Sequence, residues 1–215
     1  MDHNTVWVFD NDGTLYKLPE GFEQAITRKM IDVIAKLYSA KPEEIMARRQ
    51  ELFQKYKIRS TLLVFCYEGI IQEQEINDFI QRTYLSVDPR SFGITTDLRL
   101  RRILKRLGTN LFVHTNNPSA FADSILYCLG IRDLFSEIYG MFENGKFQKP
   151  DVQAFGKLLC DVKNYNTRWY IDNEVQNLIT AQKLGFKTIA VAEASSTDEV
   201  ETNMRVKNLF ELFSK

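Results

Sequence analysis

Val6-Trp7-Val8-Phe9-Asp10-Asn11-Asp12-Gly13-Thr14-Leu15-Tyr16 sets four consecutive apolar residues directly against two aspartates separated by one residue. A short, unbroken apolar run suits a strand covered on both faces, as in a parallel sheet flanked by helices. If Asp10 ends that strand, its carboxylate emerges at the carboxyl edge of the sheet, where ligands of open α/β sheets bind. Gly13 then lets the chain turn and brings Asp12 back to the same side. Two carboxylates held close repel unless a proton or a cation lies between them, and Mg2+ takes hard oxygen ligands of this type. An aspartate carboxylate can also form a covalent aspartyl-phosphate. A neighbouring acid can give a proton to the leaving oxygen and later take one from water.

Similar apolar runs recur at Leu111 to Val113, Trp169 to Ile171 and Thr188 to Val191, each followed by polar residues and then a helical pattern. Strand alternating with helix predicts an α/β fold, a doubly wound, Rossmann-like parallel-sheet core. Its strand ends read Asp10, Thr115 and Asp172.

Residues 17–91 interrupt the alternation. Apolar residues recur about one helical turn apart through Phe22, Ile26, Met30, Val33 and Leu37, and again through Ile45, Leu52, Phe53 and Tyr56. Leu62, Leu63, Cys66 and Ile70, then Ile76, Phe79 and Ile80, continue the pattern, which predicts four helices. A crossover between parallel strands needs only about a dozen residues. The excess predicts an inserted all-helical cap over 17–91, with residues 1–16 and 92–215 forming the core. Tyr56, Phe65 and Tyr67 are expected to pack helices. Beyond the cap, Leu98 to Leu107 predicts a helix stopped by Gly108. Asn117 and Pro118 predict an N-cap and first helical residue, and Lys149-Pro150 predicts the opening of a helix through Phe155, Leu158 and Leu159. Ser195 to Thr202 reads as a polar loop.

Phe9-Asp10-Asn11-Asp12-Gly13-Thr14-Leu15-Tyr16 resembles the first motif of the haloacid-dehalogenase-like hydrolase superfamily, Asp-x-Asp-Gly-Thr. The other three motifs of that family follow in order. Thr115, in Val113-His114-Thr115-Asn116-Asn117, is similar to the second, a threonine that hydrogen-bonds the transferring phosphoryl group. Lys149, in Gln148-Lys149-Pro150-Asp151, resembles the third, a lysine that neutralises charge between nucleophile and phosphate. Asp172-Asn173-Glu174-Val175-Gln176-Asn177 resembles the acidic fourth, which completes a metal site. A helical cap directly after the first motif is the family's first cap class, and the Thr14-Leu15-Tyr16 ending is most like the pyrimidine 5'-nucleotidase-like branch.

The resemblance implies a Mg2+-dependent phosphatase with Asp10 as nucleophile, Asp12 as acid and base, and Thr115 and Lys149 spreading charge on the phosphate oxygens. It also implies a metal held by Asp10, Asp12, Asp172 and Asn173. By position, Asn116 and the backbone amides of Asn11 and Asp12 are candidate phosphate donors. Asn173 stands where the family usually carries a second acid, which removes one negative charge and should lower metal affinity. The expected substrate is a small phosphate ester, a nucleoside monophosphate first among them.

Each residue alone has a plainer reading: a turn at Asp10 to Gly13, a helix cap near Thr115, a solvated Lys149. Their order and spacing together favour the site. A dehalogenase is disfavoured because that branch lacks an acid at the position of Asp12. A sugar-phosphate phosphatase or phosphoglucomutase-type transferase, sharing the four motifs, and a catalytically weakened binding protein remain alternatives. His114 should alternate away from the site within its strand.

The remaining composition narrows partners. With 28 basic and 28 acidic residues there is no global field for a nucleic acid polymer or an anionic membrane. The longest apolar run, Leu62 to Tyr67, is far short of the roughly 20 residues that span a bilayer. Three dispersed cysteines, Cys66, Cys128 and Cys160, are read as reduced packing residues of a cytoplasmic protein. A soluble monomer or homodimer is expected.

Overall fold

The computed structural model describes residues 4–191 and 202–213. His3 and the expected polar loop, apart from Thr202, lie outside the described residues. The chain divides into two compact units, one formed by Met1–Leu18 with Ile94–Lys215, the other by Pro19–Gly93.

The first unit is built on a six-stranded sheet: β1 (Thr5–Phe9), β2 (Leu111–His114), β3 (Glu137–Tyr139), β4 (Thr167–Asp172), β5 (Lys187–Val191) and β6 (Met204–Val206). The order across it is β3-β2-β1-β4-β5-β6, and every neighbouring pair is parallel. The order of connections reverses at β1, so the crevice between the carboxyl ends of β1 and β4 is the topological switch point. Phe9 pairs in register with Val113 on one side and Ile171 on the other. Asp10 therefore leaves the sheet between His114 and Asp172, with Thr115 one residue further along.

Around the sheet lie α5 (Leu98–Leu107), α6 (Ser119–Cys128), α7 (Gly156–Val162) and α8 (Val175–Lys183). Alternation along the strands divides the core. Val6 and Val8 join Tyr170, Phe155, Leu158, Leu178 and Ala181 in one buried cluster. Phe9, on the opposite face, meets Phe135 edge to face at 5.9 Å. Each of these large side chains, fully buried, contributes about 1.5–3 kcal/mol of hydrophobic transfer. The helix expected to open at Lys149-Pro150 begins later: Asp151 accepts from the Gln153 amide, a 3-10 turn covers Val152–Phe155, and α7 follows. Cys160 is exposed, which corrects its reading as a packing residue, while Cys128 is buried.

The second unit is all helical: α1 (Phe22–Tyr38), α2 (Pro42–Tyr56), α3 (Thr61–Tyr67) and α4 (Ile76–Arg82), with short 3-10 turns between α3 and α4 and after α4. Phe22, Ile26, Met30 and Ile34 of α1 are buried along one stripe, and Leu62 to Phe65 of α3 are buried throughout. From α2 only Leu52 is buried; Phe53 lies under the Arg49 guanidinium and Tyr56 stacks at a tilt on Tyr67. No helix among the described residues is long and apolar enough to cross a membrane.

Candidate active site

The end of β1 carries the first group of side chains. Asp10 is anchored by its own amide, which donates to the Ile171 carbonyl at 2.8 Å. The chain then folds into a tight loop, with Thr14 and Leu15 amides donating to the Asn11 carbonyl and the Gly13 amide to the Tyr16 carbonyl. Gly13 has φ +84, in the left-handed region, and a Cβ there would sit 2.8 Å from Asn173 Nδ2. Glycine is needed both for the conformation and for the space. Asn173 Oδ1 accepts from the Thr14 hydroxyl at 3.1 Å, so the loop after β4 closes directly over the loop after β1.

Lys149 ties three strand ends together. Its ammonium donates to Asp10 Oδ1 at 2.8 Å, to the His114 carbonyl at 2.7 Å and to Asp172 Oδ2 at 3.0 Å. Burial works against this charge, but Asp10 and Asp172 outweigh it and hold the lysine well above its ordinary pKa. Asp172 is fully buried and also accepts from the Glu174 amide and Asn177 Nδ2. Its carboxyl is raised by burial, against the pull of Lys149 and with the help of the Asp10 charge.

Asn116 explains how a lysine on a loop is placed this well. Its side-chain amide donates to the Lys149 carbonyl at 3.1 Å and accepts from the Lys149 amide at 2.7 Å. That two-point clamp engages both ends of the Asn116 side-chain amide in positioning Lys149, and uses one of the two N–H groups on its nitrogen. Thr115 is buried between β2 and β3: its amide donates to the Tyr139 carbonyl and its hydroxyl accepts from the Asn117 amide. Main-chain N–H groups of Asn11 and Asp12 have no acceptor among the described residues, as donors for an incoming oxyanion require.

Asp12 is held differently from Asp10. Tyr16 donates its hydroxyl to Asp12 Oδ1, and Asn117 and Asn11 donate their amides to Oδ2 at 2.9 and 3.3 Å. Burial and the Asp10 charge raise this carboxyl, and the three hydrogen bonds oppose them. Asn117 does not cap α6 as its sequence position suggests. Instead Pro118 takes the cap position, with no side-chain bond, and the Asn117 amide reaches across to Asp12. Sequence reasoning missed Asn117 and Tyr16 as parts of the site; the spacing of Tyr16, four residues after Asp12 across a glycine turn, was the one available signal.

His114 points the other way, as strand alternation requires. It is buried, with Nδ1 against the Tyr170 hydroxyl at 2.8 Å and Nε2 against the Ala154 carbonyl at 3.1 Å. Burial and the nearby Lys149 charge hold its pKa well below 6.5.

The donor set fits a hard divalent cation. Asp10 and Asp172 are gathered within hydrogen-bond reach of one nitrogen, and the Asp12 carboxyl lies close enough to feel the Asp10 charge. Among the described residues no three acidic, histidine or cysteine side chains converge on one point. Mg2+ does not need them to, since it keeps several waters and is held by one or two carboxylates together with substrate phosphate.

Comparison with known proteins places the family and the fold. A family model of haloacid dehalogenase-like hydrolases matches residues 7–191. Among solved structures, a HAD phosphatase from Thermococcus onnurineus is similar with a TM-score of 0.62 and 16% identity over 97% of this chain and 95% of that one. A HAD-hydrolase from Bacillus subtilis bound to magnesium gives 0.52 and 16% over 98% and 96%. The L-2-haloacid dehalogenase of Xanthobacter autotrophicus gives 0.55 and 14% over 96% of each chain.

Proposed function

The chain belongs to the haloacid dehalogenase-like hydrolase family, and from that premise we propose that it is a Mg2+-dependent phosphomonoesterase working through an aspartyl-phosphate on Asp10. The family includes enzymes that expel halide and enzymes that expel an alkoxide, and leaving-group chemistry separates them. Halide departs without a proton; an ester oxygen leaving as alkoxide needs one. Asp12, two residues after the nucleophile and held by Tyr16 and Asn117, supports the phosphatase reading.

In the first step an Asp10 oxygen attacks phosphorus in line, the phosphorus–oxygen ester bond breaks, and Asp12 gives its proton to the departing oxygen. In the second, water attacks the same phosphorus, Asp12 takes the water's proton, and the bond to Asp10 breaks to release phosphate. Lys149 and the Thr115 hydroxyl stabilise charge on the equatorial oxygens, with the Asn11 and Asp12 amides as further donors. Asp10 and Asp172 would hold Mg2+, with Asp12 and Asn173 at the same edge; the ion supplies neutralisation of phosphate charge.

The substrate class is a small phosphorylated metabolite, with nucleoside monophosphates placed first by the likeness of Thr14-Leu15-Tyr16 to the pyrimidine nucleotidase-like branch. Phosphate release from a panel of nucleoside monophosphates and sugar phosphates, with wild type and Asp10→Asn, tests this. Release in wild type alone, strongest with a nucleoside monophosphate, is expected. Isomerised hexose phosphate without free phosphate would point to a mutase, and no turnover of any compound would contradict the enzyme reading.

A further inference from the structure

The two aspartates of the first loop are held by partners of opposite character. Asp10 faces the Lys149 ammonium, whereas the side chains bonded to Asp12 are neutral: the Tyr16 hydroxyl and the amides of Asn117 and Asn11. Tyr16 and Asn11 come from the loop after β1, and Asn117 from a separate support. Tyr16 is carried back onto Asp12 by the turn at Gly13, where Asp12 and Tyr16 form an isolated bridge. Asn117 belongs to the segment after β2, and that segment is locked by the chain leaving β3: the Met141 amide donates to the Asn117 carbonyl at 2.9 Å, and Gly140 lies so close that a Cβ would sit 2.8 Å from the same oxygen. Asn11 is fully buried, and its Oδ1 has no hydrogen-bond partner among the described residues, so it meets Asp12 through its nitrogen.

We propose that Tyr16 and Asn117 are positioning residues for Asp12, fixing the direction in which its carboxyl delivers a proton to the leaving oxygen. The inference rests on the reading of Asp12 as acid and base. The two oxygens of Asp12 have separate tethers, Oδ1 to Tyr16 and Oδ2 to Asn117, so rotation of the carboxyl is restrained at both ends. A lysine or arginine in either place would hold the carboxylate by charge and oppose its protonation. A protonated carboxyl oxygen keeps acceptor capacity, so the Tyr16 hydroxyl goes on donating to Oδ1 in both protonation states and leaves the single acid proton free for the leaving oxygen. An amide nitrogen only donates, so Asn117 keeps the same oxygen as acceptor throughout and leaves the proton to the other.

Leaving-group dependence provides a readout that a purely structural role does not move. A positioned general acid contributes about 10^2–10^4-fold, and it matters most where the leaving oxygen is basic. We would measure kcat/KM, which reports steps through departure of the leaving group, over a series from para-nitrophenyl phosphate through phenyl phosphate to an alkyl phosphate. Wild type, Asp12→Asn, Tyr16→Phe and Asn117→Ala are compared, with thermal melting to show that each is folded. Tyr16→Phe and Asn117→Ala should each lose about 10- to 100-fold with the alkyl ester and less than about threefold with para-nitrophenyl phosphate, a weaker copy of Asp12→Asn. A uniform loss across the series, or none, in both folded variants while Asp12→Asn steepens the dependence overturns the positioning role and leaves Asp12 as the acid. If Asp12→Asn itself leaves the dependence unchanged, the acid reading fails and this inference falls with it. If one variant does not fold, the other decides.

Discussion

Lys149 Nζ sits 2.8 Å from Asp10 Oδ1, bridging the third and first sequence motifs across 139 residues of chain. The same nitrogen is 3.0 Å from Asp172, so one buried cation serves two buried carboxylates. Removing one partner of a buried ion pair leaves an uncompensated charge and costs about 3–5 kcal/mol. Lys149→Met should therefore lose stability of that order in urea unfolding. Its turnover of an aryl phosphate should fall at least about 10^2-fold, as expected for a lost electrostatic stabiliser. Wild-type stability with lost turnover would confine Lys149 to catalysis; full turnover would remove it from the mechanism.

Gly13 is constrained twice, by φ +84 and by Asn173 Nδ2, which lies 2.8 Å from the place a side-chain methyl would take. Gly13→Ala should cost about 1–2 kcal/mol, mostly from the left-handed backbone. The cost should be smaller in an Asn173→Ala background, where the steric part is gone. Equal costs in the two backgrounds, by denaturant midpoint, would show that Asn173 yields freely.

His114 gives a pH signature. Its folded pKa lies well below 6.5, the value for an unfolded chain. Above that pH both states are neutral there and the residue contributes no slope. Below it the unfolded chain takes up a proton that the folded protein refuses, so stability falls as pH falls, by up to about 1.4 kcal/mol per pH unit. Asp172, raised in the folded state, works in the opposite sense, adding stability at low pH that is lost as pH rises through its folded pKa. Comparison with a His114→Gln variant isolates the histidine. Below pH 6.5 the variant should lose less stability than wild type, and identical slopes would contradict a neutral buried His114.

Asn173 supplies an amide where a carboxylate would add a negative charge, next to Asp172 in the chain and against the loop that follows Asp10. Asn173→Asp should bind Mg2+ more tightly, and the oxygen that accepts from Thr14 is retained. Thermal shift against Mg2+ concentration measures the change, since a ligand that binds only the folded state stabilises by mass action. Chelation should abolish turnover in both proteins. An unchanged Mg2+ dependence in the variant would place the ion away from residue 173.

Four of the six strands were legible because each is a buried apolar run of the kind a parallel sheet demands: β1, β2, β4 and β5. The three-residue strands β3 and β6 were not. Glu137-Ile138-Tyr139 and Met204-Arg205-Val206 are too short and too polar to stand out, and they exist because a neighbouring strand offers its edge. The same limit applied to the site. Asp10, Thr115, Lys149 and Asp172 follow one another at strand ends or in loops that a motif reveals, and the structure brings Asp10, Lys149 and Asp172 into direct contact. Asn117 beside a proline reads locally as a helix cap, and Asn116 as a phosphate donor. Only the folded chain shows the first reaching Asp12 and the second clamping Lys149.

Phosphorylation of Asp10 itself is the most direct test of the proposed chemistry. Wild type and Asp10→Asn would be mixed with para-nitrophenyl phosphate and Mg2+, quenched in acid within the first turnover, digested and analysed by mass spectrometry. The peptide carrying Asp10 should gain one phosphoryl group in wild type and none in the variant, which should also release no nitrophenol. Steady turnover by Asp10→Asn, or a phosphoryl group found on a different residue of the wild type, would contradict Asp10 as the nucleophile.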